Sequence, residues 1–162
     1  MSQIGYQRLE DSIHPEYFRI GNFTSSIIPR MSRDRQLSTF ELKFNCKPQK
    51  YLKTGEDSVT MTGSGNILIN PTFYEARPLI AISGTGTGVI TINNQSVTIS
   101  QNSGNFVIDC ELEDAYSSYS RANYNSYITL SGNNFPVLQS GENAIGTTNS
   151  MTITITPRWW TI

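Results

Sequence analysis

Few side chains in this sequence are of a type and spacing that could do chemistry. His14 is the only histidine, so a histidine-based metal cluster is excluded, and a Ser-His-acid triad would hang on one residue in the opening segment. Its plainer reading is a surface histidine before Pro15. Asp109, Glu111, Glu113 and Asp114 form the one acidic cluster, and outward carboxylates two apart on a strand could hold calcium or act as a glycosidase pair. Nothing around them supplies the apolar or cationic surroundings that split two carboxyl pKa values, so a solvated strand face is expected. Gly84, Gly86 and Gly88 follow an apolar strand as a dinucleotide loop does. The next segment, VITIN, is another strand, whereas a phosphate cradle needs a helix N-terminus, so a glycine-rich hairpin or bulge is expected. Cys46 and Cys110 sit in apolar/polar alternation, where a free thiol behaves as a small core hydrophobe. No catalytic residue, metal or cofactor is expected.

The elements that must position these residues read as strands. The 162 residues are 37% hydrophobic and only 15% charged, with a formal net charge of -1, so the chain can bury a core and carries no basic footprint for nucleic acid. No apolar run has the length of a membrane span, and the start MSQIGYQRLE lacks the pattern of a signal peptide. Synthesis and retention in a cytosol follow as an expectation. Residues rich in Thr, Ser, Asn, Gly and Ile suit strands and tight turns.

In the opening segment, YFRIGNFTSSII and STFELKFNCK read as extended pieces around a polar turn at Pro29 to Gln36. Phe40, Leu42, Phe44 and Cys46 share one face of the second piece, the period of a half-buried strand. Two strands are not a domain, so they must pair with something more. Pro48 and LKTGEDS mark a boundary near Gly55.

Beyond it, strands are expected near 66–70, 79–83, 88–93, 95–100, 105–111, 126–131 and 151–157, at the spacing of a sandwich. Asn93-Asn94 signals a two-residue hairpin. In NFVIDCELE, Phe106, Ile108, Cys110 and Leu112 are expected to face inward, with Val107, Asp109, Glu111 and Glu113 outward. Alternation in MTITITPRWW places Trp159 and Trp160 on opposite faces, one in the core and one presented. The stretch AYSSYSRANYNSY holds Tyr116, Tyr119, Tyr124 and Tyr127 among Ser and Asn, the composition of recognition loops. Packing of these rings onto the sandwich is the leading reading, with protein contact next and a sugar-stacking platform last. The candidate interface residues are Phe40, Leu42, Phe44, Tyr116, Tyr119, Tyr124, Trp159 and Trp160.

Taken in order, FELKFNCKPQKYL, NPTFYEARPLIAISGTGTGVITINN, FVIDCELEDAY with SGNNFPVLQSGENAI, and TITITPRWW resemble the siphophage distal tail protein family. The resemblance spans essentially the whole chain. It implies an all-β protein: residues 1–55 as the closing part of an N-terminal ring-forming tail domain, and 56–162 as a galectin-like antiparallel β-sandwich. Family members generally carry more sequence ahead of the stretch resembling DSIHPEYFRIGNF, so the ring domain would be incomplete here. The implied function is structural, in a tail-tip hub of the virion assembled in the bacterial cytoplasm. The implied partners are copies of the chain in a hexameric ring, the tail tube protein, the tail-associated lysin or tape measure protein, and receptor-binding or baseplate proteins. A carbohydrate-binding module for host-wall sugars is the alternative, although no galectin array of His, Arg, Asn and Trp aligns.

Overall fold

The computed structural model describes residues 5–24, 30–31, 38–103, 106–148 and 151–162. Among them run the strands β1 (Gln7–Leu9), β2 (Tyr17–Phe23), β3 (Arg30–Met31), β4 (Ser38–Thr39), β5 (Phe44–Leu52), β6 (Val59–Thr62), β7 (Asn66–Asn70), β8 (Leu79–Ser83), β9 (Thr85–Ile92), β10 (Gln95–Ser103), β11 (Phe106–Asp109), β12 (Asp114–Ser117), β13 (Ile128–Leu130), β14 (Gly141–Thr147), β15 (Thr152–Thr156) and β16 (Trp160–Thr161). Short 3-10 turns cover Lys53–Glu56 and Asn125–Tyr127. The chain divides into two compact units, residues 1–51 with Ile162, and residues 52–161.

The larger unit is an antiparallel β-sandwich. One sheet has the order β13-β10-β9-β14-β7 and the other β12-β11-β8-β15-β6. Alternation decides which side chains enter the core. In β8 and β15, Ile80, Ile82, Ile153 and Ile155 are buried, while Ala81, Thr152, Thr154 and Thr156 stand on the other face. From the facing sheet, Ile90, Ile92, Val97, Ile99 and Ile145 complete the same core, joined by Phe106, Ile108, Leu138, Met151 and Trp159. The Asn93-Asn94 turn joins β9 to β10, with Gln95 opposite Ile92 and Asn93 at φ 52°. The expected glycine-rich bulge is present: Gly84 and Gly86 have φ near 102° and 103°, and the β9–β10 register shifts between Ile99 and Asn102.

Several sequence expectations change. Strands β6, β12 and β14 were not expected, because each presents few inward apolar residues: Met61 in β6, Ala115 in β12, and Ile145 between Asn143 and Thr147 in β14. Asn143 is fully buried, and its side chain is satisfied by main-chain groups of Leu68, Gln139 and Gly141. The strand NFVIDCELE stops at Asp109, and Asn105 lies outside the described residues. Residues 110–113 turn, Glu113 adopts φ 55°, and Leu112 is 69% exposed rather than inward. The cause is the Asp109 carboxylate, which accepts the N–H groups of Glu111 and Leu112 and so diverts the backbone from the ladder.

In the smaller unit, β1, β2 and β5 are neighbours in that order, and β3 pairs with β4. Phe18 is buried, stacks on Tyr51 at 5.3 Å and carries the Arg8 guanidinium 4.0 Å from its ring centroid. The second extended piece is strand at Ser38–Thr39 and again from Phe44, so Phe40 and Leu42 fall between β4 and β5 instead of within one strand. It then runs through Pro48 to Leu52 instead of breaking there. Proline's fixed φ is compatible with extended backbone and removes only one ladder donor. Most of the turn expected at Pro29 to Gln36, and Ser25 to Ile28 before it, lie outside the described residues.

A close approach fixes where the sandwich's last segment crosses its first. The Arg158 N–H donates to the Gly55 carbonyl at 2.7 Å, and a Cβ on Gly55 would lie 2.3 Å from the Trp159 main-chain nitrogen. Gly55→Ala is expected to destabilise the protein by about 2 kcal/mol in chemical denaturation, since backbone must move to accept the methyl. Ile153→Ala, which opens a cavity at a fully buried site, is expected to cost about 3 kcal/mol.

Candidate functional site

The acidic cluster is drawn into structure rather than left on a solvated face. Asp109 is 3% exposed, and Arg158 grips both its oxygens, Nη1 to Oδ1 at 2.7 Å and Nη2 to Oδ2 at 3.0 Å. Arg158 also reaches Glu111 at 3.3 Å, while Arg77 pairs with Glu113 at 2.9 Å. Burial opposes ionisation of Asp109, but the Arg158 hydrogen bonds and the N–H groups of Leu112 and Glu111 outweigh it and hold the carboxyl below its ordinary value. The same hydrogen bonds raise Arg158 against the opposing effect of its own burial. A general acid needs the reverse, a carboxyl pushed upward, so Asp109 is unsuited to the general-acid role of a glycosidase pair. Among the described residues, no group of three or more His, Cys, Asp and Glu side chains could hold a metal ion.

Both cysteines are free thiols. Burial, reinforced by the neighbouring Asp109 charge, pushes the Cys110 thiol up to about 12, which makes it an inert core group and no nucleophile. His14 is exposed in a turn tied by Asp11, whose carboxylate accepts the N–H groups of Ile13 and His14.

The tyrosine stretch is tied down at many points. Tyr116 bridges to Asn123, the Ser117 N–H donates to the Ala122 carbonyl, and the Tyr124 N–H to the Ala115 carbonyl. Asp114 accepts both the Asn123 and Asn125 side-chain amides, and Asn125 in turn accepts the Ala115 N–H at 2.7 Å. Tyr124 packs 5.2 Å from Phe106 and 5.4 Å from Tyr127, while Arg121 covers the Tyr116 ring at 4.6 Å. Tyr116 is buried and Tyr124 partly so, which leaves Tyr119, 82% exposed, as the ring this loop presents.

The two tryptophans separate as the alternation requires. Trp159 is buried in the core, and Trp160 is half-buried, stacked 4.5 Å from Tyr74 with its Nε1–H donating to the Glu75 carbonyl. In the smaller unit Phe40, Leu42 and Phe44 are 60%, 42% and 41% exposed, and Phe44 lies 5.6 Å from the exposed Phe23. The candidate residues form a presented tyrosine, a braced tryptophan and an exposed aromatic group around Phe44. Sequence reasoning passed over three further exposed side chains, Ile67, Ile69 and Phe73; the first two alternate within NILIN, a signal that was available.

The fold and this surface define an all-β protein in which the acidic cluster around Asp109 and the Cys110 thiol are engaged in structure, and which among its described residues exposes several apolar and aromatic side chains. No protein-family model matches the sequence, and no curated protein matches it. Among solved structures, the chain is similar to the crystal structure of SPP1 Dit (gp 19.1), described as a paradigm of the hub adsorption apparatus in phages infecting Gram-positive bacteria. The TM-score is 0.68 at 12% sequence identity, covering 99% of this chain and 66% of that one. The chain thus shares the fold of this phage hub protein and spans 66% of its length, in agreement with the resemblance read from the sequence.

Asp109→Asn is expected to cost about 3 kcal/mol near neutral pH, because it removes the bidentate partner of the partly buried Arg158 and leaves it only the more exposed Glu111 as counter-charge. Since the folded state lowers the Asp109 pKa, the stabilisation is fully present above the unfolded carboxyl's value and is lost as pH falls through the folded one. Thermal melting of the unmodified protein should decline steeply at acid pH, and that of the variant less so.

Proposed function

We propose that this chain is a non-enzymatic structural component of a phage tail tip, a distal tail protein acting as a hub. The observation that carries the reading is the correspondence of fold along 99% of the chain with a hub protein of a phage adsorption apparatus. The distribution of chemistry supports it: the acidic cluster is braced by arginines, the Cys110 thiol is buried, and the exposed residues of note are apolar or aromatic. Residues 1–55 serve as part of the ring-forming tail domain and 56–162 as the projecting sandwich. In the assembled virion the chain connects the tail tube to the lysin or tape measure protein and to receptor-binding proteins.

Ring closure follows when one surface of a copy meets a different surface of the next and the rotation closes. The exposed apolar side chains of Phe23, Phe40, Leu42 and Phe44, of which Phe23 and Phe44 lie ring against ring, are proposed for that contact. A free-standing sugar-binding module is less well supported, since Tyr116, Tyr124 and Trp160 are spent on packing within the chain and cannot form a shared stacking platform with Tyr119.

Electron microscopy and native mass measurement of the purified chain, alone and with a phage tail tube protein, should show closed rings that Phe44→Asp disperses. Monomers alone under both conditions would count against the hub. Calorimetry with host-wall polysaccharide should be silent; saturable binding abolished by Tyr119→Ala would favour the sugar-binding module.

A further inference from the structure

Strand β7 is an open edge of its sheet, and it lacks the usual protection of an edge: Asn66-Ile67-Leu68-Ile69-Asn70 contains no charge and no proline, and its pairing with β14 contains no bulge. Its main-chain polarity can be worked out from its neighbour. Ala144, opposite Ile67, directs its N–H to Asn93 Oδ1 at 2.9 Å and its carbonyl to the Asn93 N–H at 2.8 Å. Both groups of Ala144 therefore point toward β9, and the Ala144 and Ile67 pair is of the non-hydrogen-bonded kind. Ile67, and Ile69 two residues on, accordingly turn their N–H and C=O groups to the open edge. The side chains of the same two residues stand on the outer sheet face, each 61% exposed.

The strand also reads identically in both directions. An antiparallel partner of identical sequence, centred on Leu68, meets it with Ile opposite Ile and Asn opposite Asn. We propose that β7 pairs with β7 of a second copy about a two-fold axis at Leu68, joining the two sheets into one. Ile67 then exchanges both main-chain hydrogen bonds with Ile69 of the second copy, and by symmetry Ile69 does so with Ile67. The isoleucines of both copies form one outer apolar cluster of directly opposed pairs. A slip of one residue would turn the isoleucine side chains of one strand to the opposite face from those of its partner, and a slip of two would leave one opposed isoleucine pair, so the register centred on Leu68 is the one that opposes both isoleucines of each copy.

The five-residue strand pair alone is smaller than the roughly 800 Å² per partner of a standard interface, so association should depend on concentration. Such a contact uses the same patch on both copies and is distinct from the head-to-tail contacts of a ring. It would join two free chains, or two rings, and it stands or falls separately from ring formation.

Sedimentation of the full chain over a wide concentration range tests it. The unmodified protein should pair, and Ile67→Lys with Ile69→Lys should halve the mass of the largest species, since every opposed pair becomes Lys against Lys. Ile67→Lys with Ile69→Glu should restore pairing, because each Lys then lies opposite a Glu of the second copy; this variant also controls for folding, as both carry two charges on the same exposed positions. Absence of pairing by the unmodified protein at any concentration, persistence of the pair in the double-lysine variant, or failure of the Lys/Glu variant to re-pair would each overturn the proposal.

Discussion

The sandwich depends on β15. This strand, near the end of the chain, sits between β8 and β6, so the first strand of its sheet is held only by one made some ninety residues later, with Thr60 and Thr154 hydrogen-bonded 94 positions apart. Ile153 and Ile155 are fully buried, and on the other face the Thr60–Thr154 and Ser58–Thr156 hydroxyl pairs link the two strands. The segment that follows β15 returns to Gly55 and buries Trp159. Until this strand is in place, neither the core nor the entrance to the sandwich can close. Pairing of such long range imposes a loop-closure cost that local contacts do not offset, so folding should be slow for the chain's size.

The same demand for closure explains where the polar groups went. A sheet buries one face, and any polar residue trapped there must be satisfied within the protein. Asn143 and Asn70 meet this need by bonding to main-chain groups of the segments around 68–74 and 138–141. At the strand ends, Asp109 caps its own turn and pairs with Arg158, and Asp114 and Asn125 tie the tyrosine loop. Groups that looked available for catalysis in the sequence are thus the fasteners of strand ends, and the Asp109–Arg158 pair fixes the position of the final segment.

What remains outside is chemically plain. Hydroxyl-bearing strand faces, the presented Tyr119, the exposed apolar side chains near Phe44 and the strand edge at β7 are surface features of the kind that suit contact with other proteins. This agrees with a fold shared with a phage hub protein at an identity too low for individual residues to be carried across.

The amino-acid sequence by itself determined the strand character of much of the chain and the inward residues of β8 and β15, because a period of two is a local property: Ile80 and Ile82, Ile153 and Ile155, and the division of Trp159 from Trp160 follow from it, whereas in β11 Val107 and Asp109, read as outward, are buried along with Phe106 and Ile108. It also carried the Asn93 hairpin and the glycine bulge, where backbone preference is set by one or two residues. Only the tertiary structure decided the rest. β14 was hidden because its inward Asn143 is acceptable solely when distant main-chain groups satisfy it. Leu112 left the core because Asp109, held by an arginine 49 positions away, bends the chain first. Which tyrosine of a uniform-looking loop is presented depends on Phe106 and Asn125 arriving beneath it. Alternation is written in neighbours along the chain, whereas exposure, ion pairing and strand termination are set by partners that meet only once the two sheets close.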